Sequence, residues 1–124
     1  MATTEITGEN FDELVQNNEI VIVDYWAEWC APCKAFGPVF AAASEKYPDI
    51  VFGKCDVEAN QDLAVRFEIR AIPTLQVYRE QILIFSQPGM LPDAAFNELI
   101  GKIIELDMNE VREEIAKQSK DEDA

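Results

Sequence analysis

Ile20 to Lys34 reads IVIVDYWAEWCAPCK, and this stretch decides the fold. Its first half, Ile20 to Trp26, is a nearly unbroken apolar run rich in β-branched residues, the pattern of a strand buried on both faces of a sheet. Its second half holds Cys30 and Cys33 two residues apart, with Pro32 between them. Downstream, Phe36, Val39, Phe40, Ala43 and Tyr47 recur at helical spacing, broken only by Pro38, which predicts a kinked helix ending near Tyr47-Pro48. The cysteine pair therefore lies where a central strand hands over to a helix.

Working outward, the pattern alternates. A short strand is predicted near Thr4 to Thr7, and Phe11, Leu14 and Val15 predict a first helix that ends at the turn-prone QNNE. IVFGKCDV from Ile50 reads as a strand, and NQDLAVRF from Asn60 as a short helix with an asparagine start signal. TLQVY and ILIF, separated by REQ, predict an antiparallel hairpin, although its turn lacks the glycine such turns favour. LPDAAFNELIGKIIEL opens with Pro92 and Asp93 and carries Phe96, Leu99, Ile100, Ile103 and Ile104 on one face, as a last core helix would. The order βαβαβαββα predicts an α/β fold: one mixed sheet of four to five strands, flanked by about four helices.

The 124 residues suffice for one cored domain. No apolar run reaches membrane-spanning length, and MATTEITGENF lacks the basic and apolar regions of a secretory signal, so the expected compartment is the cytoplasm. A formal net charge of -14 opposes binding to nucleic acid or to anionic lipid. With three cysteines and no histidine, a tetrahedral metal site within one chain is not expected. Thiols in the cytosol are kept reduced, so the cysteine pair is read as chemistry and not as a structural staple.

A helix N-terminus offers unpaired amides and a positive dipole end, which favour a thiolate. That makes Cys30 the candidate nucleophile. Pro32 suits the first helical turn because its missing N–H would go unpaired there anyway. Cys33, held close inside the helix, would resolve a mixed disulfide in an intramolecular step. For Tyr25 and Trp26, at the end of a buried strand, core packing is expected, as is a small buried thiol for Cys55.

The segment DYWAEWCAPCK, with Ile72-Pro73 some forty residues on and Gly89 after the hairpin, resembles the thioredoxin family from Thr4 to about Leu106. The resemblance implies the thioredoxin fold and protein disulfide reduction with no bound cofactor. Cys30 is then the attacking cysteine and Cys33 the resolving one. Asp24 would lie beneath them and move the proton of Cys33, with Lys54 as the lysine beside it. Burial in an apolar strand raises a carboxylate's pKa and a neighbouring lysine lowers it, so the two effects oppose each other at Asp24. Pro73 would be a cis-proline, and Trp29, Ala31, Pro32, Ile72, Pro73, Gly89 and Met90 would surround Cys30 as a shallow docking surface. The implied partners are an electron donor like thioredoxin reductase and protein disulfides.

Oxidising relatives carry a histidine between the cysteines that stabilises the thiolate, and this chain has Ala31-Pro32 there, which favours the reductase direction. The alternatives are a disulfide oxidase or isomerase and a binding subunit that does no redox chemistry. Two residues depart from the family pattern. Ala31 stands where glycine is usual, and Met90 stands where a small residue is usual. Residues 1–106 are read as the thioredoxin domain and 107–124 as an acidic C-terminal extension. Because Ile104, Met108, Val111 and Ile115 keep helical spacing, the last helix is expected to continue to about Lys117 and then fray. Its apolar stripe could pack on the domain, on a second copy or on a partner; self-packing in a monomer is preferred here.

Overall fold

A computed structural model describes residues 2–123. In chain order the elements are β1 (Thr3–Glu5), α1 (Phe11–Asn17), β2 (Ile20–Trp26), α2 (Ala31–Lys46), β3 (Val51–Asp56), α3 (Gln61–Arg66), β4 (Thr74–Arg79), β5 (Ile82–Pro88), α4 (Asp93–Glu105) and α5 (Met108–Asp123). The strands form one sheet in the order β1-β3-β2-β4-β5. β1 and β2 flank β3 in parallel, and β4 and β5 run antiparallel to their neighbours. The mixed sheet expected from the element order is present, with β2 at its centre.

Because side chains alternate along a strand, β2 divides the core in two. Ile20 and Ile22 face α2 and α4, packing with Phe36, Phe40, Phe52, Phe96 and Ile100. Val21, Val23 and Tyr25 face the opposite layer, with Phe11 and Val15 of α1 and Leu63 of α3. Asp24 shares the parity of Ile22 and so points toward α2, where it is fully buried. Cys55 is buried on the α1/α3 side, and its thiol is pushed up to about 12, chiefly by burial. That is the behaviour of a packed, inert thiol.

The β4–β5 turn is made by Glu80 and Gln81, both at positive φ (51° and 71°). Two such residues give a hairpin the twist its strands need, and here they do it without glycine. Arg112 of α5 donates to the Glu80 carboxylate at 2.8 Å.

The C-terminal helix differs from the expected continuous one. α4 stops at Glu105, and α5 starts afresh at Met108 and runs through Asp123, past Lys117. The cause is Asp107, whose carboxylate accepts from the backbone N–H groups of Asn109 (2.9 Å) and Glu110 (3.3 Å), an N-cap that begins a new helix. Arg79 secures the other side of the break, donating to the carbonyl oxygens of Ile103 and Leu106. Met108 is buried, while Ile104 and Ile115 are exposed. The stripe is thus covered in part by the chain itself.

Candidate active site

Cys30 is the N-cap of α2, with φ -89° and ψ 108°, and Pro32 falls in the first turn. The backbone N–H of Cys33 donates to Cys30 Sγ at 3.2 Å. An amide of the opening turn is therefore aimed at this sulfur, as the sequence leads one to expect of a strand-to-helix junction. Cys30 and Cys33 are joined as a disulfide with Cα atoms 5.2 Å apart. Cys30 and Cys33 are both buried residues, at 4% and 3% exposure, and the amide donation to Cys30 Sγ distinguishes the two.

Cys30 Sγ also lies 3.7 Å from the carbonyl oxygen of Ile72. The Ile72–Pro73 peptide bond is cis. The Pro73 carbonyl accepts from the N–H of Gly89 at 2.8 Å, and Gly89 adopts φ +102°, a conformation that suits glycine. This chain of contacts draws Ile72, Pro73 and Gly89 around Cys30. Ala31 and Pro32 are exposed beside it, and Trp29 is 68% exposed, its indole N–H donating to the Glu58 carboxylate. Glu58 was not singled out from the sequence, and a carboxylate in a loop thirty residues away carries no local signal. Met90 follows Gly89 in the chain and lines a narrow cleft with Leu75, Phe85 and Leu91. A larger cavity of about 320 Å³, between Glu19, Tyr47, Arg79 and Ile104, lies at the opposite end of the sheet.

In the centre of the sheet, Asp24 and Lys54 are register partners on adjacent strands. Both carboxylate oxygens of Asp24 are buried without a hydrogen-bond partner among the described residues. Burial raises the Asp24 pKa to about 7, and the positive charge of Lys54 limits the rise. The opposition expected from the sequence is thus resolved in favour of burial. Lys54 Nζ sits 4.7 Å from the centre of the half-buried Trp26 ring, and Trp26 packs against the cluster that holds Cys30 and Cys33. Lys54 and Trp26 line a cavity of about 300 Å³ with Thr3, Glu5 and Asp56, which gives solvent access to the lysine. Tyr25 is core, as expected, its hydroxyl donating to Gln76 Oε1 at 2.8 Å.

Among the described residues no cluster of three acidic, cysteine or histidine side chains is placed to hold a metal. Nor, among the described residues, is any helix long and apolar enough to cross a membrane. Comparison with known proteins follows the same line as the geometry. The thioredoxin family model matches residues 2–102. The chain belongs to the thioredoxin family. A Streptomyces coelicolor protein described as a candidate thioredoxin 2 is 55% identical over 117 residues, covering 94% of this chain and 87% of that protein. Coprinus comatus thioredoxin is 41% identical, covering 69% of this chain and 83% of the relative. The solved structure of Plasmodium falciparum thioredoxin superposes with a TM-score of 0.75 at 35% identity, over 81% of this chain and 98% of that one. The thioredoxin family reduces protein disulfides by dithiol exchange, and this chain is a protein-disulfide reductase of that kind.

Proposed function

We propose that Cys30 attacks and Cys33 resolves, with Asp24 as the proton acceptor for Cys33. The observation that carries this reading is the Cys33 N–H aimed at Cys30 Sγ, since an amide donor at a helix start stabilises negative charge on that sulfur. In the reduced protein the Cys30 thiolate forms a bond to one sulfur of a substrate disulfide, and the other substrate sulfur leaves as a thiolate. Cys33 then gives up its proton and attacks Cys30 Sγ. The internal disulfide closes, the second substrate thiol departs, and two electrons have passed to the substrate.

A carboxyl titrating at about 7 is well matched to accept that proton near neutral pH. Lys54 sets how far the carboxyl rises. Trp29, Ala31, Pro32, Ile72, Pro73, Gly89 and Met90 form the docking surface for polypeptide disulfides. An electron donor like thioredoxin reductase recharges the pair. The protein acts as a cytoplasmic monomer, and residues 107–124 are an extension that the redox reaction does not use.

Insulin reduction with a chemical dithiol donor tests the assignment. Cys33→Ser accumulates a mixed disulfide on Cys30, detected by mass spectrometry, and Cys30→Ser loses activity by at least 1,000-fold, on the order of what removing a covalent nucleophile costs. Full activity in Cys30→Ser would show that the nucleophile is another group. A titration against glutathione separates the reductase from an oxidase or isomerase, which requires a higher potential.

A further inference from the structure

The end of the sheet remote from the cysteines carries a cavity that the reductase reading does not use. Ile20 and Arg79 are register partners at the opposite end of β2 from Trp26, and both line this cavity of about 320 Å³. Most of its wall is apolar, supplied by Ile20, Tyr47, Pro48, Ile50 and Ile104. Ile104 is 44% exposed there, while Ile100 and Ile103 of the same helix are buried.

The exception in that wall is a guanidinium. The Arg79 side chain is only 12% exposed. Its Nη1 donates to the carbonyl oxygens of Ile103 and Leu106. Nη2 reaches the Glu19 carboxylate only at 3.5 Å, and Nε is buried without a partner among the described residues. Nε–H and one Nη2–H lie parallel along one edge of a guanidinium, the edge a carboxylate takes with two hydrogen bonds. In Arg79 that edge is the under-used one. A buried charge with an unmet donor is costly, so an anion that meets it gains more than it would at an exposed arginine.

The surroundings decide which anion fits. Lys46 and Asp49, both exposed, also line the cavity and offset one another. Glu19 is the competitor. The Glu80 N–H holds the Glu19 backbone carbonyl at 2.7 Å, but the Glu19 side chain is 65% exposed and makes only the one long contact to Arg79. A carboxylate with better geometry can displace it. Inorganic anions do not match the rest of the wall, whose side chains gain only from apolar contact. A cavity of roughly 150 Å³ accepts benzene, so about twice that volume has room for two fused rings. The wall is also preformed. Arg79 is pinned to the end of α4, the Ile50 N–H donates to the Tyr47 carbonyl at 3.1 Å, and the Tyr47 N–H donates to the Ala43 carbonyl at 3.2 Å. A ligand is spared the cost of ordering it.

We infer that this cavity binds a small organic carboxylate, its apolar body against Ile20, Tyr47, Ile50 and Ile104 and its carboxylate on the Nε–Nη2 edge of Arg79. The site is separate from the redox centre and does not depend on the roles of Cys30 and Cys33. Its walls come from β2, β4, α4 and the end of α2, so an occupant ties four elements together without touching the sulfurs.

The probe is 2-naphthoate, titrated at neutral pH into the full-length protein and followed by backbone amide chemical shifts. The largest shifts fall on Ile20, Tyr47, Ile50 and Ile104, with a Kd of about 0.1 to 1 mM, the range for a ligand of about a dozen heavy atoms. The neutral isostere 2-naphthamide binds at least about 10-fold more weakly, because it cannot form the charged pair. Glu19→Gln removes the competing carboxylate and leaves the guanidinium, so it tightens 2-naphthoate by about 3-fold or more and leaves 2-naphthamide unchanged. Ile104→Trp, a change at an exposed position, fills the cavity and weakens 2-naphthoate by at least about 10-fold. Insulin reduction is unchanged in the presence of saturating 2-naphthoate. Absence of shifts up to about 5 mM, a concentration well above the expected Kd, overturns the site, as do shifts centred on Trp29, Ile72 and Gly89. Equal affinity for acid and amide, or an affinity that Glu19→Gln does not change, overturns the pairing with Arg79. Displacement of 2-naphthoate by equimolar inorganic phosphate, or binding that survives Ile104→Trp, overturns the apolar half of the site. Inhibition of insulin reduction overturns its separation from the redox centre.

Discussion

Asp24 is held in the centre of the sheet without a hydrogen-bond partner among the described residues, and the cost of that burial falls on its charged form. Its pKa rises from 3.8 to about 7, with burial as the larger cause and Lys54 opposing it. Between those two values the folded state keeps a proton that the unfolded chain has lost, so stability falls as pH rises through this window and is level above it. About 3 pH units at about 1.4 kcal/mol each amount to roughly 4 kcal/mol. Asp24→Asn is accordingly more stable than the unmodified protein at pH 8.5 by up to about 4 kcal/mol, and the gap closes toward pH 4. Denaturant unfolding of both proteins across that range checks it, and a gap that does not change with pH would refute the assignment. The sequence made Asp24 visible because a carboxylate interrupts an apolar strand. It could not give the balance between burial and Lys54, which depends on how closely two neighbouring strands pack. Nor did it reveal Glu58 under Trp29 or the Thr74 hydroxyl on Ala71, because contacts between loops leave no periodicity to read.

At the level of elements, the strands and core helices were legible because each buries a face with its own period: IVIVDYW as a strand covered on both sides, and Phe96, Ile100 and Ile103 as one stripe of α4. Boundaries set by single side chains were less so. The turn at Glu80 and Gln81 uses left-handed conformations that neither residue announces. The break before α5 did have a signal, since Asp107 with Glu110 three residues on is a capping pattern, but the apolar spacing running through it hid the cap. What holds α5 in place can be apportioned. Arg112 and Glu80 are 48% and 36% exposed, so their pair contributes less than about 1 kcal/mol. Met108 is 5% exposed, and truncating a buried methionine costs about 2 kcal/mol or more. Met108→Ala therefore lowers stability by about 2 to 3 kcal/mol and Arg112→Ala by under about 1. Neither changes the rate of insulin reduction, because Glu80 closes the end of β4 remote from Thr74 and the cysteines. A loss of reductase rate in Met108→Ala at a temperature where it is fully folded would instead connect α5 to the active site.

At the scale of the whole molecule, 24 acidic residues against 10 basic ones leave a net charge of -14 on a 14.0 kDa chain. Charge of one sign repels itself most when the chain is compact, so at low ionic strength the fold is destabilised. Ion pairs work in the other direction, and salt weakens both effects. Which one dominates follows from where the pairs lie. The five among the described residues join Arg66 to Asp12, Arg70 to Glu68, Arg79 to Glu19, Lys102 to Glu98 and Arg112 to Glu80. Of their ten side chains, only Arg79 is largely buried, at 12% exposure, and its guanidinium also binds two carbonyls that salt does not screen away. Exposed pairs contribute little even in dilute buffer, so screening removes more repulsion than attraction. Raising sodium chloride from about 10 mM to about 200 mM shortens the screening length from about 30 Å to under 10 Å, and should raise Tm at pH 7 by a few degrees, about what 0.5 to 1 kcal/mol yields in a domain of this size. Chloride is the suitable anion because sulfate would stabilise by exclusion from the surface and confound the result. Thermal unfolding followed by circular dichroism reads the shift. A Tm that falls with salt would mean that the pairs on α1, α3 and α5 contribute more than their exposure allows, and that the acidic surface is offset within the fold itself.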